Sequence, residues 1–382
     1  MYYLKGDIIT NGNIIPNQLI EITEGMITRI GGVRQGNAPI KEVKNGYICP
    51  GFIDIHIHGV DGMDFMDEGE DVFKNIANHL PKYGVTSYLA TSRTASLSDI
   101  NDFLHSAKQH ASSRLQGSRM IGVHLEGPWI SPQYNGAQSK ILISQLTWEE
   151  VKTIIEPYQT IISKITLAPE ELEDQSIIRH LVTLGIQVSA GHTNANMDQI
   201  ETAIEHGLSQ LTHTFNAMSP VHHRNPGTAA AAFYFDTLIC ELITDGVHVD
   251  SRMIDLLYKL KSKENISLIS DCTGYNLLTN GEFSLRGKEL VRKENEVRLK
   301  NGRLAGSAIT LNEGVKHATD HCGISLEDAV YMATQVPMKA CGSNRKLGQI
   351  KAGYFADFVI LDQGLEVIET IIDGKVLYSR SL

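Results

Sequence analysis

Between residues 51 and 271 the chain alternates between two kinds of segment. Short β-branched runs stand at 53–58, 87–91, 120–126, 165–168, 186–190, 210–213, 238–245 and 267–271, and amphipathic stretches separate most of them. Among these, DVFKNIANHLPKYG, DQSIIRHLVTLG, MDQIETAIEHG and SRMIDLLYKLK carry apolar residues at helical spacing. TWEEVKTIIEPY opens with a capping box from Thr147 to Glu150. Eight strands in alternation with helices predict an α/β chain with a (β/α)8 TIM-like barrel rather than an open sheet.

The two ends read differently. YYLKGDIIT and QLIEITEGMITRIGG at the start, with GQIKAGYFADFVILD and LEVIETIIDGKVLYS at the close, are β-rich and broken by Asn-Gly, Glu-Gly and Asp-Gly. One small β-sandwich domain assembled from 1–50 and 346–382 is expected, with the barrel over 51–345 inserted between them. A length of 382 residues accommodates both. The formal charge is −10 and no Lys/Arg run stands out, which argues against nucleic acid or anionic membrane as a partner. The opening MYYLKGDIITNG lacks a basic segment followed by an apolar core, and no apolar run reaches bilayer length, so a cytoplasmic protein is expected. Five scattered cysteines without a CxxC fit reduced thiols, and Cys272 reads as a core filler before a nucleophile.

Within this frame the first barrel strand, GFIDIHIHG, is unusual. At a period of two, Ile53, Ile55 and Ile57 share one face, and Asp54, His56 and His58 share the other. That polar face is either solvated or a pair of metal ligands; the other strand ends decide. Catalytic groups of such barrels sit at the C-terminal ends of the strands. Here those ends carry His124 and Glu126, His192, His213, Asp245 with His248 just beyond, and Asp271. A lone histidine at one strand end is more often structural than a ligand, but six loaded ends on one face describe a metal-assisted hydrolase. Such an enzyme must make a nucleophile from water at neutral pH and move its proton to a leaving group. Asp271, alone at the last strand end, is the candidate acid/base, ahead of a role as cap for the turn DCTGYN.

The segments PGFIDIHIHG, GVHLEGPW, GHTNA, LTHTFNAMSPVHHRNPG, TDGVHVD, SDCTG and LAGSAIT together resemble the N-acetylglucosamine-6-phosphate deacetylases of the amidohydrolase superfamily. The likeness covers nearly the whole chain. It implies Glu126, His192 and His213 as principal ligands of a divalent metal (Zn, Fe, Mn or Co) and Asp271 as catalytic acid/base. It further implies substrate contacts at Asn216, Ala217 and His248, a loop of Leu304, Ala305 and Gly306 closing on the sugar, and Arg224 pairing the substrate phosphate. In the family that arginine can come from the neighbouring subunit, so a homodimer is expected, with a small phosphorylated amino sugar as substrate. The superfamily's carbamylated lysine stands at the end of the fourth strand, whereas this strand ends TLAPE and Lys164 stands at its beginning.

One departure stands out. Where the family shows a small residue and then a histidine that polarises the substrate carbonyl, this chain has Ala137 and Gln138. A glutamine amide can donate to a carbonyl oxygen without lending it a positive charge. Two other readings therefore stand beside the leading one: a deacetylase for N-acetylgalactosamine 6-phosphate or another acylated amino-sugar phosphate, and a catalytically silent sugar-phosphate sensor. Some family members lack both histidines of the first strand and manage with one metal. His56 and His58 are retained here and are expected to form a second, weaker metal site that shares Glu126 with the first.

Overall fold

The computed structural model describes residues 1–69, 71–113 and 116–380. Strands β1 (Tyr2–Thr10), β2 (Asn13–Thr23), β3 (Met26–Ile30) and β4 (Ile40–Pro50) open the chain. They share a sheet with the last three strands, in the order β18-β17-β16-β4-β1-β2-β3. The sheet is antiparallel except where β1 meets β4. It bends over its own apolar face: backbone bonds from Ile27 N to Tyr354 O and from Ala356 N to Gly25 O tie the β3 edge to the chain entering β16. Leu4, Ile20, Ile48, Phe358 and Ile371 fill the space enclosed.

After Gly51 the chain runs straight on into the barrel: β5 (Phe52–Ile57), β6 (Val85–Thr91), β7 (Arg119–Glu126), β8 (Ile162–Leu167), β9 (Gln187–Ala190), β10 (Gln210–Leu211), β11 (Ile239–Ile243) and β12 (Ile266–Ile269). All eight are parallel and paired in chain order. Their residues are buried on both faces, as strands sheathed in helices must be. Helices Val72–His79, Leu97–Ala111, Ser176–Thr183, Met197–Glu205, Thr228–Tyr234 and Ser251–Leu260 pack outside. The Thr147–Glu150 capping box forms, but it starts only one α turn, followed by a π segment Val151–Ile155 and a 3-10 turn Glu156–Tyr158. Pro157 cannot donate to an α ladder, so the helix expected there changes pitch.

The barrel's seam lies between β5 and β12. They share no regular ladder; Asp271 N donates to His56 O at 2.9 Å and His58 N to Cys272 O at 2.8 Å, both at the upper end. Lower down, Asp54 Oδ1 accepts from both His56 N and Ser270 N at 3.3 Å, bridging the gap with a side chain. Asp54, the first residue of the polar face it shares with His56 and His58, is thus a structural staple in the barrel interior.

The segment beyond β12 holds an element that strand-and-helix periodicity did not disclose. β13 (Gly281–Leu285), β14 (Lys288–Lys293) and β15 (Glu296–Leu299) form a small antiparallel sheet around Leu290 and Val297. It precedes helix Leu311–His321 and supplies part of the wall of the barrel mouth. The final strands are β16 (Phe358–Asp362), β17 (Val367–Ile372) and β18 (Lys375–Ser379). Arg119, at the base of β7, reaches Asp357 at 2.6 Å and Asp373 at 2.7 Å and so binds the barrel to the terminal sheet.

Candidate active site

Several strands end one or two residues sooner than the β-branched pattern predicts, and the reason lies in the site. His192, His213 and Asp271 have φ of 48°, 30° and 49°. L-residues adopt this left-handed region at a cost of about 1–3 kcal/mol each, and such strain persists where surrounding structure enforces it, often at active sites. Here the turn out of β geometry brings each of these side chains into the barrel mouth.

The side chains converge on Glu126 at the end of β7. Its Oε1 lies 3.1 Å from His213 Nε2, 3.3 Å from His192 Nε2 and 3.3 Å from His56 Nε2. His213 and His192 face each other through their Nε2 atoms at 3.0 Å. Asp271 Oδ1 stands 3.4 Å from His56 Nε2 and 3.3 Å from His58 Nε2, and Glu126 Oε2 is 3.4 Å from His58 Nε2. Two sets of possible ligands result, Glu126–His192–His213 and His56–His58–Asp271, with the ligand atoms in each set within 4.8 Å of one another. Glu126 touches both sets.

The surroundings fix which nitrogen of two rings is free. His192 Nδ1 donates to Tyr134 O at 2.9 Å and His56 Nδ1 donates to Glu241 Oε2 at 3.1 Å. Each bond leaves the Nε2 lone pair aimed into the mouth, the arrangement that metal-binding histidines use. His56 Nε2 is buried without a hydrogen-bond partner. Ligands about 2.0–2.1 Å from a tetrahedral ion stand roughly 3.3 Å from each other, close to the separations seen in both sets. The donors present therefore fit divalent metal. The same pairing governs charge. Burial pushes Glu126 up, but His56, His192 and His213 hold its carboxyl well below the ordinary range. Burial pulls His58 down, yet Asp271 and Glu126 lift its imidazole to about 9. A centre that so favours positive charge against Glu126 and Asp271 is suited to a cation.

Beneath this layer lies a second one that the sequence reading missed. Glu241, on β11, accepts from His56 Nδ1 and from His213 N at 3.3 Å, and its other oxygen pairs with the Lys164 ammonium. All four residues are buried. Lys164 is the third residue of β8 and supports the floor of the mouth from the barrel interior. His124 also stays in the interior, its Nε2 paired with Thr166 Oγ1 at 2.7 Å. Cys272 is buried and its thiol is pushed up by burial, which suits the core-filler reading.

A cavity of about 360 Å3 opens above the centre. Ala137, Gln138, Asn216, Ala217, His248, Leu304, Ala305 and Gly306 all line it, together with Glu126, His192, His213, His58 and Asp271. Arg224 does not; it is exposed in the loop before helix Thr228–Tyr234. His248 Nδ1 is held by Asp245 Oδ2 at 2.7 Å. Gln138 differs from expectation. Its Nε2 donates to Glu126 Oε2 at 2.7 Å, and its Oε1 accepts from Thr94 N at 3.0 Å. In this arrangement the amide is engaged with the carboxylate rather than reserved for a substrate carbonyl. The lining also includes cations not foreseen: Arg93, and from the insert and the chain just after it Arg286, Lys288, Arg298 and Arg303. Their only sequence signal was the pair of tight turns at Arg286-Gly287 and Asn301-Gly302.

Comparison with known proteins agrees with this geometry. Residues 47–377 match the model of the Amidohydrolase family. The N-acetylglucosamine-6-phosphate deacetylase of Bacillus subtilis (strain 168) is 34% identical over 377 residues, covering 97% of this chain and 95% of the relative. The N-acetylgalactosamine-6-phosphate deacetylase of Escherichia coli O157:H7 is 32% identical over 369 residues, covering 97% of each. Among solved structures, the N-acetylglucosamine-6-phosphate deacetylase of Pasteurella multocida superposes with a TM-score of 0.93 at 29% identity, over 99% of this chain and 100% of that one. With the family match spanning most of its length and near-full-length relatives at this identity, the chain belongs to the amidohydrolase family.

Proposed function

We propose that the chain is a metal-dependent hydrolase that converts N-acetyl-D-glucosamine 6-phosphate and water to D-glucosamine 6-phosphate and acetate, in amino-sugar catabolism. The observation that carries this reading is the Glu126–His192–His213 set beside Asp271, at the mouth of a cavity lined with cations. Relatives on both sides of the sugar epimer act on 6-phosphates. The full-length likeness to the galactosamine enzyme keeps that epimer as the second reading.

Glu126, His192 and His213 would hold the principal divalent metal, Zn, Fe, Mn or Co, and His56, His58 and Asp271 a second that shares Glu126. When bound, such an ion lowers the pKa of water toward neutrality and withdraws charge from the amide oxygen. Asp271 takes the proton of the attacking water as the new C–O bond forms at the acetyl carbon. It returns that proton to the amine nitrogen as the C–N bond breaks, so nitrogen leaves as an amine rather than an amide anion, and the acyl group leaves as acetate with the water's second proton released to solvent. Gln138 holds Glu126 in position. Asn216, Ala217 and His248 contact the sugar phosphate, the Leu304–Ala305–Gly306 loop covers the sugar, and Ala137 borders the acyl group. Arg224, too exposed to serve its own cavity, pairs the phosphate across a homodimer, where its planar fork suits paired oxygens. No helix among the described residues is long and apolar enough to cross a membrane; the reading places the enzyme in the cytoplasm, with 1–50 and 346–382 as one unit and 51–345 as the catalytic one.

The test is acetate release from a panel of acylated hexosamines, with and without the 6-phosphate, before and after chelation. Fast, chelator-sensitive release from the gluco 6-phosphate supports the proposal. Preference for the galacto epimer selects the second reading, and release from none refutes both.

A further inference from the structure

The cavity's cations divide into two kinds. Arg93 is paired with Asp64 at 2.5 Å, Arg286 with Asp67 at 2.6 Å and Arg298 with Glu296 at 2.7 Å. Lys288 and Arg303 have no such carboxylate partner among the described residues. Lys288 Nζ donates to Ala137 O at 3.3 Å. Arg303 Nη1 donates to Gly136 O at 3.3 Å and to Asn135 Oδ1 at 3.2 Å. Two positive heads are thus held against adjacent carbonyls of one loop, with donors left over: two N–H of the ammonium and most of the guanidinium.

Neither head has a carboxylate in ion-pair contact among the described residues, so an anion that reaches both meets donors that the protein leaves free. The loop they grip lies at the hydrolytic centre. A Cβ added to Gly136 would stand 3.1 Å from His192 Cε1 and 3.7 Å from Ala217 Cβ. Lys288 is also partly withdrawn from water, and burial followed by the neighbouring Arg93 pulls its ammonium below the ordinary value. It is therefore a half-buried cation held by one backbone carbonyl, with Asp64 and Glu126 acting only at a distance.

We propose that Lys288 and Arg303 form an anion subsite within the chain's own cavity that takes a phosphomonoester dianion, the guanidinium reading two oxygens and the ammonium the third. This rests on the hydrolase reading above and deepens it: phosphate recognition does not depend wholly on Arg224 of a second copy. The three-stranded insert exists, on this view, to carry a phosphate clamp to the barrel mouth.

The experiment measures binding without turnover, so an enzyme that deacetylated none of the panel would still answer it. Inorganic phosphate is titrated by equilibrium dialysis into metal-reconstituted wild type, Lys288→Met, Arg303→Met and the double variant. Each loss of a charge-assisted bond is expected to weaken phosphate on the order of tenfold. Lys288→Arg, which retains the charge, should stay within roughly threefold of wild type. On unaltered wild type, phosphate should also shield Lys288 from an amine-acetylating reagent, read by peptide mass spectrometry. That readout stands even if the Met variants fail to fold. Undiminished phosphate affinity in the folded double variant would show that the pair only clamps the 135–137 loop and would overturn the proposal, as would full modification of Lys288 at saturating phosphate.

Discussion

Gln138→Ala removes the neutral donor that holds Glu126 Oε2 at 2.7 Å and strands the buried-loop amide of Thr94, which now donates to Gln138 at 3.0 Å. A hydrogen bond to a charged group contributes about 1.5–3 kcal/mol, equivalent to roughly 10- to 150-fold in an equilibrium constant. Glu126 touches all four histidines of the centre, so freedom gained by its carboxylate is felt in both ligand sets. Loss of a partner behind a metal ligand typically weakens metal binding by about 10- to 100-fold, within the same range. We therefore expect the principal metal to bind about 10- to 100-fold more weakly, measured by competition with a chromophoric chelator. Gln138→Glu provides the opposite perturbation: a second carboxylate 2.7 Å from the first cannot share the ionised state, so the pair would retain a proton at neutral pH. Metal affinity in Gln138→Ala equal to wild type would refute the idea that this residue positions Glu126. It would return Gln138 to the carbonyl-polarising role suggested by its place in the family pattern.

Asp271→Asn should lower turnover by about 100-fold or more while leaving a folded protein with its principal metal, because the isostere cannot carry the proton; a near wild-type rate would require another acid/base. In a His56→Asn, His58→Asn double variant, metal content after reconstitution should fall from two ions per chain to one by elemental analysis. If wild type never exceeds one and the variant matches it, the two histidines are structural. Lys164→Met strands the buried Glu241 and should cost about 3–5 kcal/mol of stability by urea unfolding, with little change if the two side chains are independent of each other.

Much of the barrel was legible because its strands are short, β-branched and separated by amphipathic runs, and because Glu126, His192, His213 and Asp271 follow directly on apolar segments. What sequence reading lost was of another kind. β13–β15 bury little beyond Leu290 and Val297, and their charged residues conceal a period of two. Their first hairpin turns at Arg286-Gly287, both at positive φ, where Asn-Gly or Asp-Gly is the usual signal. Glu241 and Lys164 were invisible for a different reason: a charged residue inside a strand acquires its meaning from a partner 77 positions away in the chain. Gln138 was noticed as a departure, but only geometry shows that its amide faces Glu126.

The placement of β4 bears on how the protein is made. On its outer side β4 pairs with β16, which begins at Phe358. During synthesis at about 5–20 residues per second, the unpaired backbone groups along Tyr47, Ile48 and Cys49 must wait for about 300 residues to emerge, on the order of 15–60 s. For that interval the nascent chain presents an apolar strand edge of the sort that recruits other chains. Emergence of β16, rather than completion of the barrel, marks the moment at which this hazard ends, and chaperone demand should fall when β16 leaves the ribosome. A truncation before Phe358 would retain every ligand of the metal centre and still leave that edge open for good.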